Sequence, residues 1–169
     1  DKRALYQVAD PFLAFWYRFA VPLASELQFS DPVRVYAERV APLLPDYMGR
    51  YVFEETCHQW LQRHARERLG LTIREMGRYW SRDGQVETGT HLYGECKWSG
   101  SRAIGLDVYN SLQGKVARLP REELRREAAF VLFSTGGFAP ELKAMVANAE
   151  NRLHLIGPAD FLPGIESAL

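Results

Sequence analysis

The chain has no excess charge of either sign. Lys and Arg number 21, Asp and Glu 21, and the formal net charge is zero. No overall field draws it to nucleic acid or to an anionic surface, so a contact with DNA would need a local patch. Cysteine is scarce: Cys57 and Cys96 lie far apart, with no C-x-x-C pair and no Cys/His spacing suited to zinc. Free thiols in a reducing cytoplasm are the simplest account of them. His58, His64, His91 and His154 show no metal-ligand spacing either, and read as surface or structural residues. No apolar run approaches the roughly 18 residues of a membrane helix and no signal peptide is recognisable, so the expected setting is cytoplasmic, without a membrane partner. Gly136-Gly137 lacks the Lys-Ser/Thr that a phosphate-cradling loop needs, so no ATP site is expected in this chain. The first residue is Asp1 rather than Met, which suggests a piece of a longer protein.

What is present is ordinary globular material: 47% hydrophobic residues, with nine Phe, eight Tyr and four Trp in 169 positions. Asp10-Pro11 and Asp31-Pro32 are helix-start signals, each placing an acceptor at the cap and proline at the first helical position. Phe12–Phe19 is apolar almost all round and is expected to be deeply packed. Pro42 and Pro45 should close the second helical segment. Asp46 to about Leu69 is helical in pattern, with Val52, Phe53, Thr56, Cys57, Trp60 and Leu61 forming an apolar stripe and Gly70 a stop. A hairpin is expected from Ile73–Trp80 and Gln85–Glu87 around Asp83-Gly84. Leu92–Trp98 reads as a strand, Ala103–Val116 as a helix, and Ala128–Ser134 as a strand. Pro140–Ala149 reads as a short helix and Leu153–Ile156 as a last strand. Strands alternating with helices in this order imply a parallel α/β unit.

Within that unit, Tyr93-Gly94-Glu95-Cys96-Lys97-Trp98 carries the most chemistry. Side chains alternate along a strand, so Glu95 and Lys97 share one face while Cys96 and Trp98 point to the other. Residues two apart on a strand are about 7 Å apart, within reach of one phosphate or one cation. An acid–x–lysine strand can hold a divalent metal and steady charge on a scissile phosphate. It can equally be an ion pair on a polar strand face. Glu54, for its part, can be a plain exposed helix residue beside Glu55. Arg78, Arg82, Arg118, Arg121, Arg125 and Arg126 could meet phosphates, although Glu122, Glu123 and Glu127 dilute the last group. Trp80 and Trp98 read as core rather than as base-stacking platforms.

Five segments in order, Asp10–Phe19, Tyr47-Met48-Gly49 with Phe53-Glu54-Glu55, Gly77-Arg78-Tyr79-Trp80, Gly94–Trp98 and Ser134–Phe138, resemble the uncharacterised C-terminal domain of archaeal-type AAA ATPases. The resemblance implies an α/β fold in which N-terminal helices precede a restriction-endonuclease-like mixed central sheet flanked by helices. The division would fall into a helical segment at 1–45 and an α/β domain at 46–169. It also implies ATPase and winged-helix portions upstream of Asp1 in the same protein. Carried across residue by residue, Glu54 would be the helix carboxylate, Glu95 the metal-binding acid and Lys97 the catalytic lysine, with Mg²⁺ as cofactor and DNA as partner.

The sequence departs from that pattern after Glu87, where the family has a strand bearing a principal metal-binding Asp. Here Gly84-Gln85-Val86-Glu87 runs straight into Thr88-Gly89-Thr90-His91. Losing a central strand would expose the core on both sides, so the expectation is that residues are missing between Glu87 and Thr88. Two functions follow: a Mg²⁺-dependent deoxyribonuclease domain, with its acidic site incomplete as written, or a non-catalytic DNA- or protein-binding module regulating or docking on its attached ATPase.

Overall fold

Asp10 takes up extended backbone and its carboxylate accepts the Leu13 amide at 2.9 Å, and Asp31 does the same for Val33 at 3.1 Å. Both therefore start helices as their sequence implies, each with proline in the first turn. The computed structural model describes residues 8, 10–74, 76, 91–119, 127–148, 150 and 152–161. It divides into two compact units, Asp1–Val52 and Phe53–Leu169.

The first unit is helical. Helix α1 (Pro11–Phe15) runs on through a wider π-type segment, Trp16–Ala20, and a tighter 3₁₀ turn, Val21–Leu23, into α2 (Ala24–Phe29). Pro22 lies in the tight turn, where its missing N–H interrupts the regular ladder. Helix α3 (Pro32–Val35) continues through Tyr36–Val40, and α4 (Leu44–Tyr47) through Met48–Val52. Ala41–Leu43 form the turn between them, so Pro42 closes the preceding segment, whereas Pro45 sits in the first turn of α4. Phe19, Val40 and Tyr47 make the core. The Tyr47 ring meets Phe19 and Phe15 edge-on at 5.2 and 6.1 Å, and its hydroxyl donates to the Pro11 carbonyl at 3.3 Å. Phe12–Phe19 is not deeply packed, contrary to its composition: Phe12, Leu13, Trp16 and Tyr17 are exposed and only Phe19 is buried. A helix apolar on every side needs covering on every side, and the first unit supplies one small core.

The second unit is a helix–sheet–helix sandwich. Strands β1 (His91–Lys97), β2 (Ala128–Ser134) and β3 (Leu153–Ile156) lie parallel in that order, with Glu95 opposite Leu132 and Lys97 opposite Ser134. All three fall where the apolar runs place them. On one face, α6 (Leu106–Ala117) and α7 (Pro140–Val146) bury Tyr109, Leu112, Val116 and Leu142 against Phe130, Leu132 and Leu153. On the other, α5 (Phe53–His64) buries Phe53, Cys57, Trp60 and Leu61 against Val131, Phe133 and Ile156. Helix α8 (Pro158–Phe161) adds Phe161 to that second layer. After α5 the chain stays helical through Ala65–Leu69 and stops at Gly70, whose φ of 69° is the left-handed cap expected of glycine.

The α/β class is thus observed, and among the described residues the sheet is parallel throughout. The hairpin that would make it mixed rests largely on 77–90, and the Glu87–Thr88 junction lies there too, outside the described residues. Trp80, Arg78, Arg82, Arg121, Arg125 and Arg126 also lie outside them. Ile73, Arg74 and Met76 carry no regular structure. Among the described residues no helix is long and apolar enough to cross a membrane.

Candidate functional site

Alternation along β1 decides which groups can meet. Tyr93 packs into the α6 layer, whereas Leu92 and Cys96 pack into the α5 layer. Glu95 and Lys97, in phase with Tyr93, therefore stand on the α6 side. There Glu95 accepts from Lys97 Nζ at 2.8 Å and from Lys115 Nζ, in the last turn of α6, at 2.9 Å, with a different carboxylate oxygen for each ammonium. The side chain of Glu95 is 22% exposed, those of Lys97 and Lys115 43% and 59%. Burial on its own would raise the Glu95 pKa, but the hydrogen bonds and charges of the two lysines outweigh it and hold the carboxyl below its ordinary value. The result is a carboxylate clasped by two ammonium groups, one positive charge in excess.

The structure brings Glu95 and Lys97 together in one ion pair. Glu54 lies in the first turn of α5, the helix covering the opposite face of the sheet. Its charge is one of the influences on the Cys57 thiol one turn along the same helix. The hydrogen bond with Cys96 comes first in pushing that thiol up, then burial, then the Cys96 and Glu54 charges. Lys115 is the participant that sequence reasoning missed. Its one signal was its place in the Ala103–Val116 helical pattern, directly before the apolar Val116.

Among the described residues, the donor set around Glu95 does not suit Mg²⁺. A hard dication needs several oxygen ligands, yet both oxygens of Glu95 are committed to ammonium groups, and two lysines repel a further cation. Among the described residues, no three His, Cys, Asp or Glu side chains gather where a metal could sit.

At the carboxyl ends of β1 and β2 the Ser134-Thr135-Gly136-Gly137 segment makes a loop lock. The Ser99 amide donates to Thr135 Oγ1 at 3.0 Å, Ser99 Oγ lies 3.1 Å from Ser134 Oγ, and the Gly136 amide donates to both hydroxyls. A Cβ on Gly136 would fall 2.1 Å from the Arg102 carbonyl oxygen, so only glycine fits. These groups satisfy one another instead of facing a phosphate. Trp98 turns its ring to Phe53 at 5.6 Å and is partly exposed, and Arg118 follows the end of α6. A recess of about 410 Å³ lined by Leu71, Asn148, Arg152 and His154 among others includes neither Glu95 nor Lys97.

A family model described as archaeal and bacterial proteins of unknown function matches residues 16–107, more than half of the chain. That span takes in the helical unit from Trp16, all of α5, β1 and the first residues of α6. No curated protein and no solved structure matches the chain.

Proposed function

The chain belongs to the DUF234 family of archaeal and bacterial proteins of unknown function, and from that premise we propose that it is a non-catalytic module docking on an attached archaeal-type AAA ATPase. In this reading the α/β unit is a nuclease-like scaffold whose acid–x–lysine strand serves structure and charge instead of hydrolysis. The observation that carries it is the Lys97–Glu95–Lys115 cluster, because a carboxylate already neutralised by two ammonium groups is not available to a metal.

A protein partner suits this surface better than DNA does. The formal net charge is zero, and Phe12, Leu13, Trp16 and Tyr17 stand exposed in the helical unit. Phe12 stacks on Trp16, four residues further along, with ring centroids 6.2 Å apart. The setting we assign is the cytoplasm, with the ATPase and winged-helix portions preceding Asp1.

The test is a cleavage assay of the full-length protein on single- and double-stranded DNA with Mg²⁺ or Mn²⁺, beside Lys97→Ala. No metal-dependent cleavage by the wild type is the expected result. Cleavage that Lys97→Ala abolishes would replace the proposal with the deoxyribonuclease reading.

A further inference from the structure

Helix α5 and strand β1 meet in a register that puts the two cysteines of the chain together. The Phe53 ring lies against Trp98 with centroids 5.6 Å apart. Four residues further along the helix, about 6 Å of rise, comes Cys57. Two residues back along the strand, about 7 Å, comes Cys96. The steps match, so with Phe53 opposite Trp98 the running directions place Cys57 opposite Cys96. Both belong to the same packed layer, Cys57 with no exposed surface and Cys96 half-buried at its edge, and their thiols share a hydrogen bond. Both are free thiols.

We propose that Cys57 and Cys96 form an oxidation site that a peroxide closes into a disulfide, stapling α5 to β1. Cys96, the thiol nearer solvent, reacts first. Its thiolate sulfur attacks one peroxide oxygen, the O–O bond breaks, and the departing hydroxide takes up a proton to leave as water, giving a sulfenic acid. Cys57 then attacks the Cys96 sulfur, the S–O bond breaks, and the hydroxyl leaves as a second water with the proton that Cys57 gives up. Two thiols lose two electrons and two protons, and one peroxide becomes two waters. The order follows from the surroundings: the Cys96 hydrogen bond and burial hold Cys57 protonated, so Cys96, nearer solvent, starts the reaction, and Cys57 gives up its proton only as it attacks the sulfenic acid. The staple would join the helix bearing Glu54 to the strand bearing Glu95 and Lys97, and it does not depend on whether the domain hydrolyses anything.

Intact-mass measurement of the full chain tests this. Dilute protein is treated with hydrogen peroxide, denatured, and alkylated with iodoacetamide. The reduced chain is expected to take two labels, whereas the oxidised chain should take none and be lighter by two hydrogens until dithiothreitol restores both labels. Cys57→Ala should instead hold a sulfenic acid on Cys96, trapped by dimedone. The proposal is overturned if both thiols still alkylate after peroxide, or if Cys96 proceeds to sulfinic acid while Cys57 keeps its label. A disulfide found only between two copies would overturn it as well.

Discussion

Aromatic residues crowd both units of this protein, but most of those in the helical unit stay uncovered while most described ones in the α/β unit do not. In the α/β unit Trp60, Tyr109, Phe130 and Phe133 are all buried, because a sheet offers two faces and each has a helical layer laid over it. In the helical unit Phe19 and Tyr47 are buried, while Phe12, Trp16, Tyr17 and Phe29 stand in solvent. The difference lies in the number of surfaces available to bury against, since apolar content is high in both. Burial is a property of layers, and a helix without a second layer keeps its far side exposed.

The largest expected effect tests that difference directly. Phe133→Ala removes a ring that is 1% exposed in the central strand and should cost about 3–5 kcal/mol, whereas Phe12→Ala, at 67% exposure, should stay within about 0.5 kcal/mol. Urea denaturation of the two variants measures both, and a comparable loss at Phe12 would break the contrast. Gly136→Ala comes next. Its methyl group would have to displace the Arg102 backbone, at about 1–3 kcal/mol, and an unchanged melting temperature would show that the loop yields. Asp31→Ala removes the α3 cap and should cost about 1 kcal/mol, read by loss of helical ellipticity on heating.

The smallest effect belongs to the charge cluster. Lys115→Ala should cost no more than about 1 kcal/mol near neutral pH, since its ammonium is more than half exposed. The pH dependence is more telling than the size. Glu95 is held below its ordinary value, so its pairing stabilises the fold fully above the unfolded carboxylate value of about 4.3. That contribution is lost as pH falls through the lower folded value. Urea midpoints of wild type and Lys115→Ala should therefore converge on acidification, and a gap that stays constant would show that Lys115 acts through packing alone.

Local features were legible in the sequence, and the ways in which layers meet were not. The caps at Asp10 and Asp31, the left-handed stop at Gly70 and the runs forming β2 and β3 depend on neighbours within a few residues, and the structure has them where the chemistry of those residues puts them. Strand alternation also separated Glu95 and Lys97 from Cys96 before any fold was known. Which face of the sheet α5 would cover depends on connections that no local pattern encodes. The same uncertainty hid the approach of Lys115 and the meeting of Cys57 with Cys96. Of the site, the strand pair was legible and its neighbours were not. The exposure of Phe12, Leu13, Trp16 and Tyr17 has a related reason: a run of apolar residues reports the need for cover, not its supply.

The loop lock has a consequence for β2. Its residues 129–133 are apolar on both sides, so sliding the strand by one position would exchange one greasy set for another and meet little resistance from solvent. Ser134, buried without exposed surface at the strand's end, removes that freedom. Its hydroxyl finds Ser99 and the Gly136 amide at one setting only, and a slip would strand it among hydrocarbon. A single alcohol thus acts as the detent that indexes the middle strand, and with it the position of Lys97 on the strand alongside.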